Sequence, residues 1–337
     1  GLVLVLYNGE NYYYYQLYLP FMTSPSGYGD MNFIWYSILN SPNPAKALAY
    51  LGVEYVIVNS SEYPEYFSKL YSSPGFEKIF SSNDLYVFKN LDFRPFYISK
   101  GVYIAFNFPY AVLGLSNLSG VYPIIPFYYV NDIQKLLPYV KGFIGYNITV
   151  SDLIPMLIDN SSYIITPENI YVNQMVDTNG YNNFTVGWVH SDPIWLPDLM
   201  NGLTEGSYAK PLVLHLNVPD GTYYVYAILA FYTLNGAYQS GSIKISSGGS
   251  IIQKNFSGSA YNVTWIYLGK INITDHELSI DSIYNLNLIK LVLIPASEYD
   301  MLEKEADLIL NSRQVVDLDH KIITNTDYLT TGYAAVV

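Results

Sequence analysis

Four histidines, twenty-eight carboxylates and no cysteine bound the chemistry open to this chain. His190, His215, His276 and His320 are scattered, and none belongs to a metal-binding pattern such as HExxH. His276 follows Asp275, and His320 follows Asp319. Neighbours on a strand point to opposite faces, so neither reads as a His–carboxylate pair. Residues 191–198 read SDPIWLPD, with Asp192 and Asp198 on either side of Trp195. Two such acids fit a Ca²⁺ loop completed by carbonyl oxygens, or a glycosidase acid pair, or a proline-stiffened solvated loop. No cofactor is expected beyond that Ca²⁺ option. Without cysteine there is no disulfide, thiol nucleophile, thiolate zinc site or iron–sulfur ligand. There is no nucleophile elbow of the G-x-S-x-G type, and the Gly-rich stretch at 142–145 (GFIG) is no phosphate loop. The residues therefore read toward a chain that does not catalyse.

The residues that do suggest chemistry are acceptors. Eight Asn-X-Ser/Thr sequons occur, at Asn59, Asn117, Asn147, Asn160, Asn183, Asn255, Asn262 and Asn272. The pattern marks N-glycan attachment on exposed segments of exported chains. In an Asn-, Ser- and Thr-rich chain some arise by chance, but here they run through most of its length. Four aromatic residues, Trp188, Trp195, Tyr261 and Trp265, could stack on sugar rings. The competing reading places Trp188 and Trp265 in a core, as expected of tryptophans on sandwich strands.

Composition points the same way. Charged residues make up 13% of the 337 residues, about half the usual share, while tyrosine occurs 37 times. A phenol packs its ring and still offers a hydroxyl to water. Tyrosines and glycans together can hydrate a surface poor in Lys and Glu. The net charge of −12 and the lack of any basic run exclude nucleic acid and anionic membrane surfaces as partners. Few ion pairs also means few carboxylates whose protonation would undo the fold. That suggests an acid- and heat-tolerant, thermoacidophilic archaeal source. The start Gly-Leu-Val, lacking Met, suggests a processed or excised beginning. No apolar run approaches the ~20 residues of a spanning helix, so any membrane attachment is expected through a segment outside this chain.

The elements that must position these residues fall into four expected stretches. Residues 1–95 read as mixed α/β, with a Pro-started helix from Asn43-Pro44 closed by Gly52, a strand at 53–58, a helix at 62–71 and a hairpin at 76–89. Residues 96–178 alternate strand and helix patterns, the rhythm of a small parallel sheet. Strands are expected at 101–106, 124–130, 142–146 and 163–166, with helices capped at Asn131 and over 151–158. Residues 179–300 change to short strands and turn signals, a jelly-roll-like antiparallel sandwich. Residues 301–337 give a helix and further strands that pair back onto another sheet or open a further domain. The expected class is thus α+β multidomain and β-rich.

Two resemblances carry this further. The run 47–58 (ALAYLGVEYVIV), continued by SPGFEKIF at 73–80, LYVFKN at 85–90 and RPFY at 94–97, resembles the soluble regions of YfhO-like, glycosyltransferase-type multi-spanning membrane proteins. That resemblance implies an ectodomain beside a membrane-embedded part that would hold any catalytic residues. PDGTY at 219–223, WIYLGKI at 265–271 and IKLVLI at 289–294 resemble a carbohydrate-binding-module type of β-sandwich. Three functions follow as expectations. The first is a non-catalytic extracellular glycoprotein or ectodomain of the archaeal cell envelope, facing glycans or other envelope proteins. The second is an accessory soluble domain of a membrane glycosyltransferase. The third is a structural subunit of a surface layer or filament built by edge-strand pairing.

Overall fold

The structure is a computed structural model. It describes residues 2–6, 21–23, 38–95, 101–106, 111–116, 118, 122–130, 132–167, 184–188, 201–205, 211–231, 239–258 and 265–318. Three sheet systems account for most of them, and the fold is β-rich α+β, with a small parallel sheet and large antiparallel ones.

The first sheet has the order β2-β1-β3-β5-β4. Strands β1 (Leu2–Leu6), β2 (Phe21–Thr23) and β3 (Val53–Asn59) run parallel to one another. Helix α1 (Pro44–Tyr50) leads into β3, and α2 (Pro64–Ser72) follows it. Proline opens both helices, where its missing N–H costs nothing. Gly52 closes α1 at φ +79°, a conformation that glycine adopts without Cβ strain. Asn43 stands at the expected cap position but caps nothing, since its Nδ2 donates instead to Ser116 O at 3.1 Å. The hairpin of β4 (Phe76–Ser82) and β5 (Leu85–Asn90) is as expected but tighter. Its ladder runs to Ser82–Leu85, leaving Asn83 in the left-handed region beside Asp84. Buried Asn90 pins α1 to the sheet by donating to Ala45 O and Val53 O at 2.8 and 3.0 Å.

The second sheet is parallel throughout, as the βαβ rhythm implied. It contains β6 (Val102–Ala105), then α3 (Ala111–Ser116), β7 (Ile124–Pro126), α4 (Ile133–Leu136), β8 (Val140–Gly145) and α5 (Val150–Leu153). Three local expectations are corrected. The strand expected to reach residue 130 stops at Pro126, and Phe127–Tyr129 tightens into a 3₁₀ turn. Helix α4 is capped by Asp132, whose carboxylate accepts the Lys135 N–H at 3.3 Å, while Asn131 lies outside the described residues. The helix expected over 151–158 breaks into α5 and a 3₁₀ turn at Ile154–Leu157, where Pro155 has no N–H to give.

The sandwich follows. Strands β9 (Ile164–Ile165), β10 (Phe184–Trp188), β11 (Asn201–Glu205), β12 (Leu212–His215), β13 (Gly221–Phe231), β14 (Gln239–Ser247), β15 (Ser250–Gly258), β16 (Trp265–Ile273), β17 (Glu277–Tyr284) and β18 (Leu286–Pro295) form two antiparallel sheets. One has the order β10-β11-β18-β13-β16, with β9 also on β18, and the other β12-β17-β14-β15. Their facing side chains, among them Val225, Ile243, Ile245, Leu268, Ile271 and Leu293, fill the interior. Helix α6 (Ala296–Asn311) then runs across the opposite face of the larger sheet, and β19 (Gln314–Asp317) joins the parallel sheet beside β8, giving β7-β6-β8-β19.

The apolar clusters cross the expected stretches. One packs Leu48, Val56 and Phe88 together with Tyr103, Leu115, Ile144 and Leu318. Another joins Phe127, Phe143 and Ile154 to Tyr226, Trp265, Val292 and the α6 residues Leu302, Ala306 and Ile309. The larger sandwich sheet is therefore covered on both faces, which explains why all ten residues of β18 are buried.

Candidate functional site

Five sequon asparagines lie among the described residues. Asn147, Asn160, Asn255 and Asn272 are exposed, and Asn59 is half-buried. At Asn59 the side-chain oxygen accepts the N–H of Ser61 at 3.0 Å, and at Asn160 that of Ser162, also at 3.0 Å. Both are turns in which the oxygen binds the backbone of the sequon's own serine. The Nδ2 nitrogen, which a glycan takes, is left on the other side of the amide. Asn147 sits at φ +49°, a conformation asparagine tolerates, and its backbone N–H donates to Asp317 Oδ1 at 3.0 Å. Asn255 and its Ser257 share one face of β15, while Asn272 lies in β16 and its Thr274 follows the strand's end. Asn117, Asn183 and Asn262 lie outside the described residues.

The sugar-stacking residues separate. Trp265 is 7% exposed and its ring meets Phe127 edge-on, with centroids 6.1 Å apart. It is a core residue, in agreement with the core reading of Trp265, and presents no face to a sugar, which corrects the stacking assignment. The physical reason is the second cover on the larger sheet, which turns an outer face into an inner one. Trp188 ends β10, but its side chain is outside the description, as are Trp195, Tyr261, Asp192 and Asp198. Among the described residues, no three His or acidic side chains are grouped to hold a metal ion.

The histidines find carboxylates that sequence spacing did not indicate. His215 Nδ1 lies 3.2 Å from Glu277 Oε1, directly across the β12–β17 ladder. Asp275 and His276 form the turn between β16 and β17, both at positive φ (57° and 55°). The Asp220 carboxylate holds that turn, accepting the N–H of His276 at 2.9 Å and of Asp275 at 3.2 Å. His276 Nδ1 lies 2.7 Å from Val218 O. The N–H groups donated to Asp220, that of His276 foremost, hold its carboxyl below the usual range. This is a structural clasp. His190 and His320 lie outside the described residues.

Tyrosine does most of the remaining polar work. Tyr224 stacks on Tyr299 at 3.8 Å, and Lys270 Nζ lies 4.4 Å from the Tyr224 ring. The Tyr226 hydroxyl lies 3.1 Å from that of Tyr299 and 3.3 Å from Ser151 Oγ, tying α6 and α5 to the sheet. Burial pushes the phenols of Tyr103, Tyr128, Tyr129, Tyr223, Tyr267 and Tyr299 upward. Asp132 is held low by its bond from Lys135, and Asp220 by its clasp. The signs give a stability profile. The depressed acids contribute fully above the unfolded carboxylate pKa of about 4, and their contribution is lost as pH falls through their folded values. The raised phenols contribute fully below about pH 10, and theirs is lost as pH rises through their folded values. Thermal unfolding across pH is therefore expected to show a plateau between about pH 4 and pH 10, with the steeper fall on the alkaline side. A steeper loss between neutrality and pH 4 would contradict this profile.

The hydroxyl of Tyr128 is buried with no hydrogen-bond partner among the described residues. Removing an unpaired buried hydroxyl removes its desolvation penalty. Tyr128→Phe is expected to leave stability unchanged or raise it by about 1 kcal/mol in a urea titration.

No protein-family match was found for the sequence, and a search of curated proteins gave no match either. Among solved structures, the chain has a distant likeness to a ruminal GH26 endo-β-1,4-mannanase at 14% identity and a TM-score of 0.23, covering 40% of this chain and 26% of the mannanase.

Proposed function

We propose that the chain is the outward-facing, N-glycosylated and non-catalytic part of an archaeal cell-envelope protein, acting through its surface on glycans or neighbouring envelope proteins. The observation that carries this reading is the placement of the sequons. The four exposed asparagines lie on different parts of the molecule: Asn147 after the parallel sheet, Asn160 before β9, and Asn255 and Asn272 on the two sandwich sheets. Asparagine is mostly exposed whatever its role, and here its exposure leaves these four sequons accessible to a glycan-transferring enzyme. Among the described residues no helix is long and apolar enough to cross a membrane.

Brief protease treatment of intact native cells tests the outward location. Peptides of this chain should be released from intact cells, while a cytoplasmic marker stays inside. Release only after lysis would refute it.

A further inference from the structure

The smaller sandwich sheet turns its apolar side chains to one face, as two-residue periodicity requires. Ile243 of β14, Phe256 of β15 and Ile283 of β17 pack into the sandwich interior. Their immediate neighbours Ser242, Asn255 and Tyr284 therefore stand on the outer face. The ladders align these three in one row: Ser242 pairs with Asn255 on one side and with Tyr284 on the other. Asn255 is an exposed sequon asparagine. Tyr284 is 66% exposed, more than any other aromatic among the described residues. Single exposed aromatics are ordinary on a surface. The alignment with a sequon across a serine sets Tyr284 apart.

The base of this ring is held in place. Tyr284 ends β17, and the next residue, Asn285, turns the chain at φ +55° and donates its Nδ2 to Ser240 O at 3.0 Å. That bond clips the end of β17 to β14. Two strand spacings separate Asn255 from Tyr284, ~10 Å between backbones. The side chain between them is a serine, too short to stand in the way. An asparagine side chain bearing one or two sugar rings spans that distance along the sheet. An aromatic face is electron-rich and attracts the C–H groups on the flat side of a pyranose. The Ser242 hydroxyl, beneath the path, can bond a sugar hydroxyl as donor or acceptor.

We propose that the N-glycan on Asn255 lies across Ser242 and packs its inner sugars on the Tyr284 ring. This rests on the glycosylation proposed above and gives the glycan at that site a fixed docking place. The glycan then joins β15 to β17 over the intervening strand, so it staples the smaller sheet as well as hydrating it.

The test uses the full chain and its variants secreted by a cell that N-glycosylates, with occupancy of Asn255 read by mass spectrometry. A double-mutant cycle pairs Tyr284→Ala with Asn255→Gln, and urea unfolding reads each corner. With the glycan present, Tyr284→Ala is expected to lower the folding equilibrium constant about five-fold. In the Asn255→Gln background the same substitution should change it by less than about two-fold. Tyr284→Phe keeps the ring and should behave as the wild type in both backgrounds. Proton NMR of the glycoprotein should show sugar C–H signals shifted upfield by the ring, and Tyr284→Ala should return them to their free positions. Occupied Asn255 with equal effects of Tyr284→Ala in both backgrounds would overturn the inference alone, as would sugar signals unmoved by Tyr284→Ala. Unmodified Asn255 in the wild type would overturn it together with the glycosylation reading at that site.

Discussion

Replacing Trp265 with alanine is expected to destabilise the protein by about 3–5 kcal/mol, measured by urea denaturation. The side chain is buried between the sandwich and the 3₁₀ turn carrying Phe127, in the cluster that also contains Ile154, Val292 and Leu302. Removing it opens a cavity where three parts of the chain meet, and the backbone of β16 is held by its ladder to β13 and cannot collapse into the space. Trp265→Phe keeps most of the buried area and should cost less than half as much. A loss under about 1 kcal/mol for the alanine variant would contradict the burial and return Trp265 to the surface, where sugar stacking would again be open to it.

The second large effect is expected at Gly142. This residue pairs with both Tyr103 of β6 and Gln314 of β19. A Cβ here would collide with the backbone carbonyl of Gln314 and come within 2.9 Å of Tyr103 Cε1. A backbone carbonyl in a ladder has no rotamer to relax into, and Tyr103 is fixed by donating its hydroxyl to Gln314 Oε1 at 2.6 Å. Gly142→Ala should therefore cost about 1–3 kcal/mol and release β19. Hydrogen exchange is the discriminating measurement: the amides of Gln314–Asp317 should lose protection while those of β13 keep theirs. Unchanged protection in β19 would mean that the strand does not depend on the close approach.

Local patterns were legible in the sequence where one element decides its own form. The hairpin around Asn83 and Asp84, the Pro-started helix ending at Gly52, and the long strands β13 and β18 all follow from turn residues and apolar periodicity. So does the parallel sheet, because alternating strands and helices leave few other solutions. What could not be read was which surface another part of the chain would cover. Tyr226 lies on a sheet face that periodicity alone leaves facing water, and Trp265, which one of the two sequence readings placed in a core, lies on the same face. Helix α6, arriving from residue 296 onward, and the turns near residue 154 make it interior. The pairing of Gln314–Asp317 with Gly142–Gly145 spans most of the second half of the chain and has no local signature.

The site was legible in a similarly divided way. The sequon asparagines are named by a three-residue pattern, and the structure adds where five of them stand. Asp220 was missed because its partners, the N–H groups of Asp275 and His276, are defined by a left-handed turn that the residue types Asp and His do not announce. Glycine is the usual occupant of such positions, and here a carboxylate from another loop supports the strained pair instead.

The central claim is that this surface is built to carry N-glycans. Site-resolved glycopeptide mapping of the protein purified from its native cells tests it most directly. Peptides containing Asn147, Asn160, Asn255 and Asn272 are expected to carry glycan mass at the asparagine. Recovery of these four peptides wholly unmodified would contradict the account.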